Sequence, residues 1–292
     1  MDFGGTKIEA AALDADGCFL SRIRQPNPGS YDAAIGCVAD LVARVEAEAG
    51  GAGMLGVGAP GSVSPRTGLM RNANSTYLNG RPFRQDLERA LGRRVRLAND
   101  ANCLALSEAS DGAAAGMRVA CAIILGTGCG GGVVVGGRIV EGATGIAGEI
   151  GHIPLPWPSD AEHPGPQCWC GQRSCLECWI SGTGFSRDHL DRTGECRDGS
   201  AIVSAARSGD PGAEATLHAY VDRLGRAVAL IANLLDPDCF VLGGGMSNVA
   251  EIYDRLPAVV RRYTFSDGWD VPVVQAKWGD SSGVRGAARL WP

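Results

Sequence analysis

Three glycine-rich blocks, each abutting a short apolar run, constrain this chain more than any other feature. Asp2-Phe3-Gly4-Gly5-Thr6-Lys7 precedes Ile8 to Leu13, and Ile123-Ile124-Leu125 leads into Gly126-Thr127-Gly128-Cys129-Gly130-Gly131-Gly132 ahead of Val133-Val134-Val135. The spacing predicts a strand, a glycine turn and a second strand in both places. One hairpin device used twice predicts two related α/β domains. The third block, Gly243-Gly244-Gly245, follows the run Cys239 to Leu242 and a helical stretch from about Glu214 to Leu235 that Asp236-Pro237 closes. It predicts a strand passing through a glycine loop into a helix. The 43 glycines are roughly twice the ~7% of average usage. No low-complexity linker absorbs them, so they serve turns and close backbone approaches.

Glycine turns suit phosphate because backbone N–H groups converge on an anion where no side chain intervenes. Hairpins also need glycine for conformation alone, so each block taken singly leaves both readings open. None has the spacing of a P-loop or of a dinucleotide fold. A candidate general base is Asp100, in Val95-Arg96-Leu97-Ala98-Asn99-Asp100-Ala101-Asn102, where a strand gives way to a helix. The plain alternative is that Asn99 or Asp100 only caps that helix. A carboxylate so placed is nonetheless fixed and kept ionised by the helix N-terminus, as accepting a hydroxyl proton requires.

A second cluster is His152 with Cys168, Cys170 and Cys175. One imidazole and three thiolates suit a closed tetrahedral zinc site. Cys178 is a further possible ligand that spacing does not exclude. Glu149 lies three residues before the histidine and Glu177 two after Cys175, so a metal would tie two acidic segments together; surface charges or partners of the zinc ligands are the plainer reading. The other cysteines of the eleven stand singly. With no leader-like or long apolar run, a reduced, cytoplasmic protein is expected. The net charge of −5 and the lack of a basic cluster argue against nucleic acid or an anionic membrane as partner.

The order of these elements resembles that of the ROK (repressor, open reading frame, kinase) family of sugar kinases. The resemblance is carried by the Asp2–Lys7 hairpin, Asn99-Asp100, the Gly126–Gly132 hairpin, Glu149-x-Gly-His152 with its cysteines, and Leu242-Gly243-Gly244-Gly245. It spans essentially the whole chain. Asn72 to Gly80, Ile180 to Phe185 and Gly279 to Ala288 are similar to the bacterial fructokinases of the manno(fructo)kinase type. The implied fold is the α/β, two-domain actin-like ATPase (RNase H-like) fold of the sugar kinase, Hsp70 and actin superfamily.

The resemblance implies a kinase that closes over ATP and a hexose. Gly4, Gly5, Thr6 and Lys7, together with Gly126, Thr127, Gly128 and Gly130, would approach the phosphates, and Gly243, Gly244 and Gly245 the adenosine. Asp100 would take the proton of the sugar 6-hydroxyl, with Mg²⁺ on the phosphate oxygens. Asn74, Asn99, Asp100, Glu149, His152 and Glu177 would bind sugar hydroxyls, and structural Zn²⁺ on His152, Cys168, Cys170 and Cys175 would orient that imidazole. Nucleotide affinity is expected to be independent of the metal, because the glycine loops lie on other segments.

D-Fructose is the expected acceptor, with N-acetylglucosamine or another hexose as the alternative and a sugar-sensing zinc protein without catalysis as the non-enzymatic one. A repressor of the same family is set aside because the phosphate hairpin begins at residue 2. The expected domains are 1–110 and 111–280, with a helix over about 281–292 returning to the first, and a homodimer. Two departures from the family pattern stand out. Ser174 replaces a usual glycine in the cysteine motif, and only Met1 precedes Asp2, which predicts a shortened central strand with unpaired ladder groups.

Overall fold

The computed structural model describes residues 1–291. The chain begins with β1 (Asp2–Phe3), β2 (Lys7–Leu13), β3 (Phe19–Pro26), α1 (Tyr31–Ala49), β4 (Leu55–Ala59), a small hairpin of β5 (Ser62–Val63) and β6 (Met70–Arg71), α2 (Phe83–Leu91), β7 (Val95–Asn99) and α3 (Asp100–Asp111). Five of these strands form one sheet in the order β3-β2-β1-β4-β7. β1 is antiparallel to β2 and parallel to β4, and β4 is parallel to β7. Short as it is, β1 is paired on both sides, and Met1 extends the ladder by accepting from Gly58 N–H at 2.9 Å. β1 meets β2 only at Glu9 and Ile8 and β4 only at Gly58.

Helix α1 buries Tyr31, Ala34, Val38, Leu41, Val42 and Val45, the i, i+3, i+4, i+7 stripe of an amphipathic helix. Against it lie Phe3, Ile8, Val57, Leu78, Phe83 and Leu87, and Phe3 meets Phe83 edge-on at 5.0 Å. Each fully buried aliphatic or phenyl side chain contributes ~1.5 to 3 kcal/mol. The helix stops at Gly50, whose φ of 78° supplies the left-handed cap that glycine adopts without strain.

A second sheet, in the order β10-β9-β8-β11-β12, uses β8 (Val119–Leu125), β9 (Cys129–Val135), β10 (Arg138–Ile139), β11 (Cys239–Gly243) and β12 (Val273–Gln275). β11 runs parallel to β8 and to β12. The helices are α4 (Glu177–Ile180), α5 (Gly182–Thr193), α6 (Gly199–Arg207), α7 (Pro211–Leu235), α8 (Ala250–Tyr263) and α9 (Ser282–Ala288). α7 starts with Pro211 after Asp210, whose side chain accepts from Ala213 N–H, and ends at Asp236 in the left-handed region.

Two local expectations change. Gly130 to Gly132 belong to strand β9 rather than to the turn, which is confined to Gly126–Gly128. Gly132 stays small because a Cβ there would run into the Ala101 carbonyl of α3. After β11 the chain makes a 3₁₀ turn over Gly245–Asn248 before α8 begins, so the glycine loop does not open the helix directly.

The chain divides into two compact units. One comprises Met1–Ala115, Gly132–Gly148 and the chain from Lys277 onward; the other comprises Gly116–Gly131 and Glu149–Ala276. Within the first unit, α9 packs on α3 so closely that a Cβ on Gly286 would overlap the Cys103 carbonyl. The fully buried Glu108 of α3 holds the approach to α9, accepting from Lys277 N–H, Trp278 N–H and the Ser282 hydroxyl at 2.9–3.1 Å. Asp111 accepts from Arg285 at 2.6 Å and from the Trp278 indole at 3.0 Å. Among the described residues, no helix is long and apolar enough to cross a membrane.

Candidate active site

In the first unit, Asn99 is the residue that caps α3. Its Oδ1 accepts from Ala101 N–H at 2.8 Å and its amide donates to Gly61 O at 3.2 Å. Asp100 is the first helical residue, exposed, with Oδ1 also accepting from Ala101 N–H at 2.8 Å. The strand–helix junction thus leaves the cap to Asn99 and presents the Asp100 carboxylate to solvent. Asn74 is exposed on a loop that Asn79 clamps, with side-chain bonds of 2.9 Å to both N–H and C=O of Ala73. Gly61 must be glycine, because its φ is 75° and a Cβ would collide with Arg71 and Ala73 backbone.

The Gly4–Lys7 turn of this unit is closed by Gly4 N–H donating to Lys7 O at 2.9 Å, and Thr6 O accepts from Asn27 N–H. Gly5 has only the Ser75 hydroxyl near its missing Cβ, at 3.6 Å. Lys7 is partly exposed and forms an ion pair with Asp280 at 3.6 Å. Asp2 was not among the sequence candidates. Burial raises its carboxyl pKa, with the chain-start ammonium acting against that shift. Its Oδ2 lies 2.9 Å from where a Cβ of Gly283 would stand, so a glycine in α9 makes the room for it.

In the second unit, His152, Cys168, Cys170 and Cys175 converge, with ligand atoms all within 4.8 Å of one another. His152 Nδ1 lies 3.7 Å from Cys168 Sγ, and Cys170 Sγ lies 3.6 Å from Cys175 Sγ. Four ligands ~2.3 Å from a central ion are spaced by ~3.8 Å, so the set fits tetrahedral zinc. Cys178 turns its Sγ to Gln167 O at 3.8 Å and is not among the four.

Burial raises the thiol pKa of Cys168, and that of Cys175 to about 11. At Cys170 burial acts the same way but is outweighed by hydrogen bonds from Gln172 N–H and the neighbouring thiols, and its pKa is lowered. The turn is built by Gly171 at φ 90° and Ser174 at φ 60°. Serine at this unusual conformation gains a bond from the Trp179 indole N–H to its Oγ at 3.1 Å. The departure from glycine is thus accommodated with the turn intact.

The loop carrying His152 is anchored by residues that no sequence motif marked. Glu162 accepts from Arg223 Nε at 2.8 Å and from both Nη atoms of Arg226 at 2.7 and 3.0 Å, while Arg226 also donates to Pro156 O and Trp157 O. All three charged groups are buried. Burial alone would raise the Glu162 pKa, but these hydrogen bonds outweigh it and hold it at about 2. Isolated charged residues carry no such signal in sequence; only the i, i+3 spacing of Arg223 and Arg226 on α7 hinted that they share a face.

Glu149 precedes the 3₁₀ turn Ile150–His152, half-buried, its carbonyl accepting from His152 N–H. Glu177 opens α4 two residues after Cys175, and both its carboxylate oxygens are engaged: Oε1 by the Trp169 indole N–H at 2.6 Å, Oε2 by Cys129 N–H at 3.0 Å. Gly126 and Thr127 line a cavity of about 890 Å³ with Gly182, Thr183, Gly245 and Asn248. The turn is tied down by Gly126 N–H to Gly128 O at 3.0 Å and Gly182 N–H to Gly126 O at 2.7 Å. Gly244, at φ 81°, packs against the Leu125 and Gly126 backbone too tightly for a Cβ, and Gly243 ends β11. The second and third glycine blocks therefore meet at one pocket of a size that suits a nucleotide.

A model of the ROK family matches residues 1–292. The N-acetyl-D-glucosamine kinase of Pectobacterium atrosepticum is 40% identical over 297 residues, covering 99% of this chain and 97% of that protein. The N-acetyl-D-glucosamine kinase of Haemophilus influenzae is 37% identical, covering 100% and 98%. Among solved structures, the ROK hexokinase from Thermus thermophilus superposes with a TM-score of 0.87 at 35% identity, covering 98% of this chain and 95% of its own. The fold is that of the actin-like sugar kinase superfamily.

Proposed function

Because this chain belongs to the ROK family, we propose that it is a hexose kinase transferring the γ-phosphoryl group of ATP to the 6-hydroxyl of N-acetylglucosamine. The sugar kinase activity follows from the family and from relatives matched over nearly their whole length. For the acceptor, the carrying observation is that relatives at 40% and 37% identity are N-acetyl-D-glucosamine kinases. Fructose, favoured by the Asn72–Gly80 and Gly279–Ala288 strings, has less support and becomes the second reading.

In this reading Asp100 is the general base. Exposed at the start of α3 with its backbone fixed by the Asn99 cap, it accepts the hydroxyl proton as the oxygen attacks phosphorus. Mg²⁺ bound with the nucleotide would supply neutralisation of phosphate charge. Gly126 to Gly128 and Gly243 to Gly245 form the nucleotide pocket of the second unit, and Gly4 to Lys7 form the phosphate turn of the first. Asn74, Asn99, Glu149, His152 and Glu177 are the candidate hydroxyl ligands. Amides, carboxylates and an imidazole suit hydroxyls because those both donate and accept. His152, Cys168, Cys170 and Cys175 would hold a structural zinc, which would fix the imidazole tautomer and leave the other ring nitrogen for a sugar oxygen.

The test is ADP release from the zinc-loaded protein over a panel of N-acetylglucosamine, N-acetylgalactosamine, N-acetylmannosamine, glucose, mannose and fructose. The highest kcat/KM is expected for N-acetylglucosamine. A higher value for fructose would reinstate the second reading, and no turnover with any sugar would support the sugar-sensing alternative.

A further inference from the structure

Glu177 lies between two features that the sequence places far apart. It follows Cys175 by two residues, yet its Oε2 accepts from the backbone N–H of Cys129, the residue that leads out of the Gly126–Gly128 turn. The fit depends on the turn's own sequence, since a Cβ on Gly128 would stand 2.6 Å from that oxygen. The other oxygen is held by Trp169, which sits between the ligands Cys168 and Cys170, through an indole N–H at 2.6 Å. Trp169 is 63% exposed, so its ring is not there to fill a core. Its indole N–H is given to this carboxylate, and its ring meets that of His152 in a T-shaped contact with centroids 4.9 Å apart.

We propose that Trp169 and Glu177 are positioning residues that tie the metal-binding knuckle to the nucleotide turn, so that the knuckle sets the affinity for the ATP phosphates. The inference rests on the reading of Gly126–Gly128 as a phosphate-binding turn. Among the described residues, the Thr127 and Gly128 N–H groups have no protein acceptor, which leaves them for an anion. A two-glycine turn is soft, and its donors converge only if something outside it fixes their direction. Glu177 does this by taking up the adjacent Cys129 N–H, and Trp169 holds Glu177 in the rotamer that reaches it. A hydrogen bond to a charged group in a partly buried setting is stronger than a neutral one. The metal acts upstream, by holding Cys168 and Cys170 and therefore the indole between them. The expectation that nucleotide affinity is independent of the metal is thereby replaced.

Trp169→Phe tests the tie, because it keeps an aromatic ring beside His152 while removing the indole N–H together with the pyrrole part of the ring. On zinc-loaded preparations of wild type and variant, the dissociation constants of a non-hydrolysable ATP analogue and of adenosine are measured by calorimetry, with metal content and melting midpoint as controls. The expected result is full zinc content and an unchanged midpoint, ATP-analogue affinity lowered about tenfold, and adenosine affinity unchanged. Glu177→Asp, one methylene too short to span both donors, should repeat the selective loss and serves if the first variant fails to fold. Unchanged affinity for the ATP analogue in folded, zinc-loaded protein overturns the tie. Equal loss for adenosine overturns it as well, since the effect is then not on the phosphates. If wild type itself binds no ATP analogue, the kinase reading fails independently of the tie.

Discussion

The segment around Asp100 and the segment from Glu149 to Cys178 are both candidate parts of the active site, and they are held in opposite ways. Residues 95–111 are a strand followed without a break by a helix, so backbone hydrogen bonds fix the Asp100 main chain and Asn99 needs only to cap. Residues 149–178 contain two 3₁₀ turns and the beginning of a four-residue helix. Besides two isolated backbone bridges, Pro154–Cys175 and Gln167–Arg173, their shape rests on side chains: the Glu162–Arg223–Arg226 cluster, the Ser174–Trp179 bond and the converging His152, Cys168, Cys170 and Cys175. The lesson is that the first segment owes its order to local ladders, whereas the second depends on polar groups that lie far apart in sequence.

The largest expected effect lies in the first segment and should stay there. Asp100→Asn keeps the fold, because the cap is Asn99, while turnover falls by ~10² to 10⁴ as the proton acceptor is lost. Single-turnover kinetics with melting as control checks this, and near-normal turnover would remove Asp100 from the mechanism.

In the second segment a single buried carboxylate should matter to stability. Glu162→Gln leaves Arg223 and Arg226 buried without it, and loss of one partner of such a pair costs ~3 to 5 kcal/mol. The lower end is expected, since Asp188 and Asp222 still lie 2.9 Å from the two guanidinium groups. The pH dependence has a definite sign. With its folded pKa lowered to about 2, against ~4.3 unfolded, Glu162 contributes stability that is fully present above the unfolded value. That contribution drains away as pH falls from there through the folded pKa. Denaturant unfolding of wild type and variant from pH 7 to 2 should show the difference shrink on acidification; a constant gap would mean that the ion pair is not its source.

Chelation should separate the two segments directly. Removing zinc is expected to raise amide exchange across residues 149–178 and lower hexose affinity ~10 to 100-fold, with exchange over residues 95–104 unchanged. Exchange rising equally in both would break the contrast drawn here. The smallest effect is expected for Ser174→Gly. Relief of a left-handed serine is worth ~1 to 2 kcal/mol and loss of the Trp179 bond costs ~1 kcal/mol, so the melting midpoint should barely move. A large fall would show that the serine hydroxyl, not the backbone, shapes the knuckle.

Residue pattern alone determined the elements with local causes. The Asp236-Pro237 stop of α7, the strand–helix junction at Asp100 and the His/Cys set clustered within a short stretch could be read because their physics acts over a few residues. The metal set was legible for the further reason that thiolates and imidazole in that spacing have few other uses. Tertiary structure decided the rest. It paired Gly130–Gly132 into β9 and set Gly132 against the Ala101 carbonyl of α3, it buried Glu108 and Glu162 as anchors, and it turned Glu177 toward Cys129. Each of these depends on groups brought together from 31 or more positions apart, where pairing is set by packing geometry that no local spacing encodes.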